Sequence, residues 1–231
     1  MTRDALKEMR LRSWCVDGTR QVPNPEAAKT YIDRLGVVTL FNASPEVPNL
    51  YDAHMGRLDS PMDSKHDSPS GYVYSWRWEL GKVQAAYYGQ LVAKRPTWVA
   101  WETLPLVFGA FMERRHPEEL HELGLISGNA LRIASALEEA RRPMQTDELR
   151  KAAGFPTGKE NRSAYLKGLE ELGARMITGK HFLPTAENTE VLNDLHYPEA
   201  SAAARRMTPD EALALLLKRL LPEWVCVESK P

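Results

Sequence analysis

The sequence predicts a mainly α chain with short β hairpins, an α+β fold organised around a winged helix-turn-helix. Three observations predict it. Residues 129–183 carry three helical patterns followed by two short β runs, the element order of that module. Capped amphipathic patterns recur at 23–36, 128–142 and 208–223. Finally, 43% hydrophobic and 26% charged residues in 231 suit a globular chain with a sizeable core, as one large domain or two smaller ones.

The elements follow in order. Asn24 is the N-cap candidate of a helix over 23–36, with Pro25 in the first turn. Ala28, Tyr31, Ile32 and Leu35 repeat at helical spacing, and Gly36 is the stop. VVTLF (37–41) is β-branched and apolar and reads as a short buried strand; PNLYDAHMG (48–56) reads as a short helix closed by glycine. RLDSPMDSKHDSPSG (57–71) is a loop, with prolines and serines that bury little.

YVYSWRW (72–78) places Tyr72, Tyr74, Trp76 and Trp78 on alternate positions, so as a strand it would line one face with aromatics. That row is either a core wall or a stacking or pocket surface; Tyr74, Trp76, Arg77, Trp78 and Tyr88 are its candidate residues. Residues 79–94 read as a helix, and 98–115 as a core helix interrupted at Pro105, with Trp98 and Trp101 on one face.

A helix over 128–142 has Asn129 as candidate cap and Leu131, Ile133, Ala134 and Leu137 inward, ending at Pro143. Thr146 caps the next, short helix. A third spans 162–173, and Thr178-Gly179-Lys180 is the expected hairpin turn. The last helix has Thr208 as N-cap, Pro209 at N1 and Glu211 completing a capping box; its leucine-rich face must dock on the body or on a second subunit. The expected domains are 1–125, helical and β, a candidate degenerate winged helix that would make the architecture tandem; 126–185, the winged helix-turn-helix; and 186–231, a helical tail.

Composition narrows the function. A net charge of −1 gives no global pull toward nucleic acid or membrane, so any electrostatic footprint is local. Residues 129–182 hold ten Lys/Arg against seven Asp/Glu, a surplus of three; the remaining 49 hold five against eight, a deficit of three. That asymmetry favours the module as a contact for double-stranded DNA. Two cysteines, Cys15 and Cys226, read as buried thiols rather than a disulfide framework. The N-terminus lacks the apolar core of a signal peptide, and TLPLVFGAFM (103–112) is far short of the ~20 apolar residues a membrane helix needs. A cytoplasmic protein without membrane contact is the expectation.

No phosphate-cradling glycine motif or GxSxG context occurs, and His54, Asp63, His66 and Asp67 lack metal-ligand spacing. No catalytic residue, cofactor or metal is assigned. For DNA contact the candidates are Lys159, Arg162, Ser163 and Lys167 of the third helix, with Arg175, Lys180 and His181 of the wing. With Tyr165, Leu169 and Leu172 inward, the outward face carries Glu160, Ser163, Lys167, Glu170 and Glu171, a poor match to phosphates.

YIDRLGVVTLF (31–41), SWRWELGKVQAAYYGQLVAKRPTWVAWETLP (75–105) and the module at 129–183 together resemble the short relatives of the AlkZ-type DNA glycosylases. The resemblance implies a winged-helix fold and the repair of alkylated and crosslinked DNA. Active members carry a glutamine-rich signature after a helix ending in Leu-Gly. Here Leu35-Gly36 is followed by Val37, Val38, Thr39, Leu40 and Phe41, with no group to activate water. The expectation is therefore a non-catalytic DNA-binding relative. The alternatives are a ligand-sensing winged-helix regulator and a scaffold that forms a homodimer through its C-terminal helix.

Overall fold

The computed structural model describes residues 3–221 except 20, 64, 186 and 187; Cys226 lies outside the described residues. The chain divides into two compact units, Met1–Glu102 with Pro184–Ala186, and Thr103–Leu183 with Glu187–Pro231.

The first unit opens with α1 (Arg3–Ser13) and α2 (Pro25–Leu35). Asn24 accepts the Ala27 N–H at 2.9 Å, Pro25 opens the helix, Gly36 closes it, and Ala28, Tyr31 and Ile32 form the buried stripe. β1 (Val37–Thr39), α3 (Leu50–Met55) and α4 (Pro69–Lys82) follow, then β2 (Tyr87–Gln90) and β3 (Pro96–Val99). β3 lies between β1 and β2, antiparallel to both, with Val99 opposite Val37 and Tyr87. α2 packs on α4 and on β1 and β3.

Three expectations are corrected here. YVYSWRW is helix, because the Ser68 side chain caps Gly71 N–H at 3.1 Å, Pro69 starts α4, and Val73, Trp76 and Leu80 bury one helical stripe. The aromatic row is thereby split: Trp76 is fully buried while Tyr72 and Tyr74 are exposed. Residues 79–94 leave the helix after Lys82, and Tyr87–Gln90 pair with β3 instead. Trp98 is a strand residue facing the core and Trp101 lies in a turn, donating its indole N–H to Gln84 O at 2.8 Å. Apolar residues in 79–99 satisfy either period; pairing across β2 and β3 decides for strand.

The second unit contains α5 (Leu104–Phe111), α6 (Pro117–Glu122), α7 (Gly128–Ala140), β4 (Met144–Gln145), α8 (Thr146–Ala152), α9 (Lys159–Ala174), β5 (Thr178–Phe182) and β6 (Asn188–Leu192). Then come α10 (Asn193–His196), α11 (Pro198–Arg205) and α12 (Pro209–Leu220). Pro105 starts α5 instead of interrupting a longer helix. Ser127, not Asn129, caps α7, and Gln145 precedes α8 as its N-cap. Thr178-Gly179-Lys180 is strand rather than turn: β5 pairs with β6 from Thr178 opposite Leu192 to Phe182 opposite Asn188. β6 also pairs with β4.

Ile133, Ala134, Leu137, Leu149, Phe155, Tyr165 and Leu172 belong to the core shared by α7, α8 and α9. α12 keeps its expected capping box and docks Ala212 and Leu216 against α5, where a Cβ on Gly109 would fall 2.6 Å from that of Ala212. Leu213, Leu215, Leu217 and Leu220 remain exposed.

The order helix, strand, helix, helix, strand, strand occurs twice, as α2-β1-α3-α4-β2-β3 and as α7-β4-α8-α9-β5-β6. In each set the last strand lies between the other two, and the first helix packs on the third. The two copies share a topology without a sequence repeat.

Candidate nucleic-acid interface

α9 is the third helix of the second copy, and its inner face fixes what its outer face presents. Tyr165 packs edge-on to Phe155 with centroids 5.6 Å apart, and Leu172 is buried. Gly168 lets α9 lie close to α7: a Cβ there would come within 2.8 Å of Ile133 Cδ1 and 3.1 Å of Ala130 N. Glu171, read from periodicity as outward, turns back so that its Oε2 accepts the Ser127 N–H at 2.7 Å, anchoring the start of α7.

The exposed face of α9 is therefore Lys159, Glu160, Arg162, Ser163, Leu166, Lys167 and Glu170. With Lys159 and Arg162 counted and Glu171 turned away, three cations accompany two carboxylates, a less acidic face than periodicity alone implies. The N-cap residue is Gly158, with no side-chain cap, so the first-turn N–H groups of α9 lie at the end of the helix that carries Lys159 and Arg162.

The structure separates the sequence-predicted candidates into two groups. Lys159, Arg162, Ser163 and Lys167 come together on α9. Arg175, Lys180 and His181 are engaged within the unit. Arg175 donates to Leu125 O at 2.7 Å. Lys180 pairs with Glu190 across the β5–β6 ladder; burial pushes the Glu190 carboxyl above its usual range, opposed by the charge of Lys180. His181 Nδ1 lies 2.9 Å from His196 Nε2, so one ring donates and the other accepts. His196 is held down to about 4, first by burial and then by the neighbouring His181.

In the first unit, α4 occupies the third-helix place of its copy. Arg77 stacks 3.6 Å from the Tyr74 centroid and 4.0 Å from that of Trp78, while Tyr74 lies parallel to Phe41 at 6.4 Å. Such cation–π contacts hold a guanidinium flat on aromatic faces. Tyr88 is buried beside Trp98, its phenol raised by burial. Trp76 faces inward against His54, whose Nδ1 donates to Val22 O at 2.9 Å.

The positions following Gly36 offer no reactive group. Val38, Thr39 and Leu40 are fully buried, and the Thr39 hydroxyl donates to Pro48 O at 3.3 Å. A buried carboxylate that sequence reading missed, Asp52, lies nearby in α3. Its Oδ1 accepts Ser60 N–H at 3.0 Å, and its Oδ2 accepts from Asn49 Nδ2 at 2.9 Å and Asp59 N–H at 3.2 Å. These bonds staple the loop after α3 to the unit. Among the described residues, no group of three or more His, Cys, Asp or Glu side chains is arranged to hold a metal ion. No described helix is long and apolar enough to cross a membrane.

Compared with known proteins, residues 22–182 match the family described as AlkZ related. The chain belongs to the AlkZ-related family. The match covers the first copy of the six-element order and the second as far as β5, and relates the chain to DNA-repair glycosylases. No curated protein and no solved structure matches it.

Proposed function

We propose that this AlkZ-related protein binds duplex DNA through tandem winged helices and does not excise bases. The observation that carries the reading is the outer face of α9, where Lys159, Arg162, Ser163 and Lys167 converge beside uncapped helix N–H groups. A recognition helix meets the duplex with its N-terminal residues, and phosphates are favoured where helix dipole and cations coincide. The repeated helix–strand order supports the winged-helix assignment, with 126–185 as the better-charged module. In the other copy, Arg77 stacked between Tyr74 and Trp78 offers a second, aromatic surface for nucleic acid. The lack of a polar group at Val38 and Leu40, and the engaged hydroxyl of Thr39, favour a non-catalytic role.

Hydrogen exchange measured with and without a 20-bp duplex tests the reading. Added protection is expected in α9, together with no base release from alkylated or crosslinked duplexes. Protection that bypasses α9 contradicts the interface, and robust base release contradicts the non-catalytic half.

A second reading has its own observation. In the first unit a groove of about 630 Å³ is lined by Asp4, Lys7, Arg10, Trp14, Glu46 and Leu58, with Arg10 4.1 Å from the Trp14 ring centroid and paired with Glu46 at 2.9 Å. Such a groove, with two cations and two carboxylates in its lining, suits a small zwitterionic or aromatic ligand and a ligand-sensing regulator. Selection from genomic fragments separates the readings: a regulator enriches a defined operator, whereas a repair-related binder does not.

A further inference from the structure

Phosphate binding leaves one feature of the α9 face unused. Leu166 is 50% exposed at the middle of that face. Arg162 and Glu170 lie one turn before and after it, Lys159 two turns before, and Ser163 beside it. The opposite side of the helix is committed to α7 through Gly168, so the leucine cannot turn inward. An apolar side chain ringed by polar ones gains nothing from water and a good deal from an apolar partner of small size. In the major groove of a DNA duplex the apolar group on the base edges is the 5-methyl of thymine.

We propose that Leu166 is a thymine-contacting residue, seated against a thymine methyl in the major groove while Lys159, Arg162 and Lys167 hold the flanking phosphates. This rests on the duplex-binding reading above. Part of the charge pattern matches the role: Arg162 and Lys167 lie on either side of the leucine, toward the two backbones, while Glu160 and Glu170 share the exposed face. The same arrangement would give sequence preference without any hydrogen-bonded base contact from this position.

Replacing thymine by deoxyuridine removes only the methyl group and keeps base pairing. Binding of the full chain to a random-sequence duplex pool made with thymine or with deoxyuridine is measured by fluorescence anisotropy at low salt. The wild-type protein is expected to lose about three- to tenfold in affinity on the uracil pool, the range for burying one methyl-sized group. Leu166→Ala is expected to bind both pools equally, at the wild-type affinity for uracil DNA, with its melting temperature unchanged. Equal wild-type affinity for the two pools overturns the inference and leaves duplex binding intact. A thymine preference that survives in Leu166→Ala also overturns it, since another residue then reads the methyl. Failure to bind either pool overturns the duplex reading itself, and this inference with it.

Discussion

Individual side chains in this protein serve roles that residue type alone does not announce. Trp76 carries the largest apolar surface of α4 into the core, whereas Tyr74, two residues earlier, helps to stack Arg77. The histidine pair is the residue-level feature with a solution signature. Burial lowers both His181 and His196, and His196 is held near 4 against its usual 6.5. The folded chain thus binds fewer protons here than the unfolded chain at mildly acidic pH, and stability falls as protons are added. The pair's contribution is complete above about pH 6.5 and is lost as pH falls toward about 4. Urea unfolding at pH 7, 6 and 5 should show falling midpoints for the wild type and a shallower fall for His196→Asn. Parallel curves for the two proteins would show that the pair does not titrate as described.

At the scale of elements, the contact between α7 and α9 sets which face of α9 is exposed. Gly168→Ala inserts a methyl 3.1 Å from a backbone nitrogen and should cost about 1–3 kcal/mol, the usual overpacking penalty. Thermal unfolding checks this; a melting temperature equal to wild type would mean that the helices separate without cost. Elements closed by local chemistry were readable in the sequence: α2 with Asn24 and Gly36, and α12 with Thr208 and Glu211. Those decided by pairing partners far away were not. Residues 87–90 and 96–99 became strands because β2 and β3 complete one ladder, and Thr178–Phe182 because β6 lies opposite. The candidate site was half legible for the same reason. Composition located the basic module, but the inward turn of Glu171 depends on Ser127, forty-four residues away, and no periodicity reports that bond.

Across the whole chain the net charge of −1 means that long-range attraction contributes little, so the proposed DNA binding rests on the local face of α9. That gives the account its most direct measurement: the dependence of duplex affinity on salt concentration. Each phosphate neutralised releases counterions, and log Kd against log salt changes by ~0.9 per contact. The wild-type protein should show a steep salt dependence. Lys159→Ala/Arg162→Ala/Lys167→Ala, three exposed positions outside the core, should keep its melting temperature, bind at least tenfold more weakly at low salt, and lose about 2–3 from the slope. An unchanged slope and affinity in the triple variant would contradict the assignment of α9 as the DNA-contacting helix.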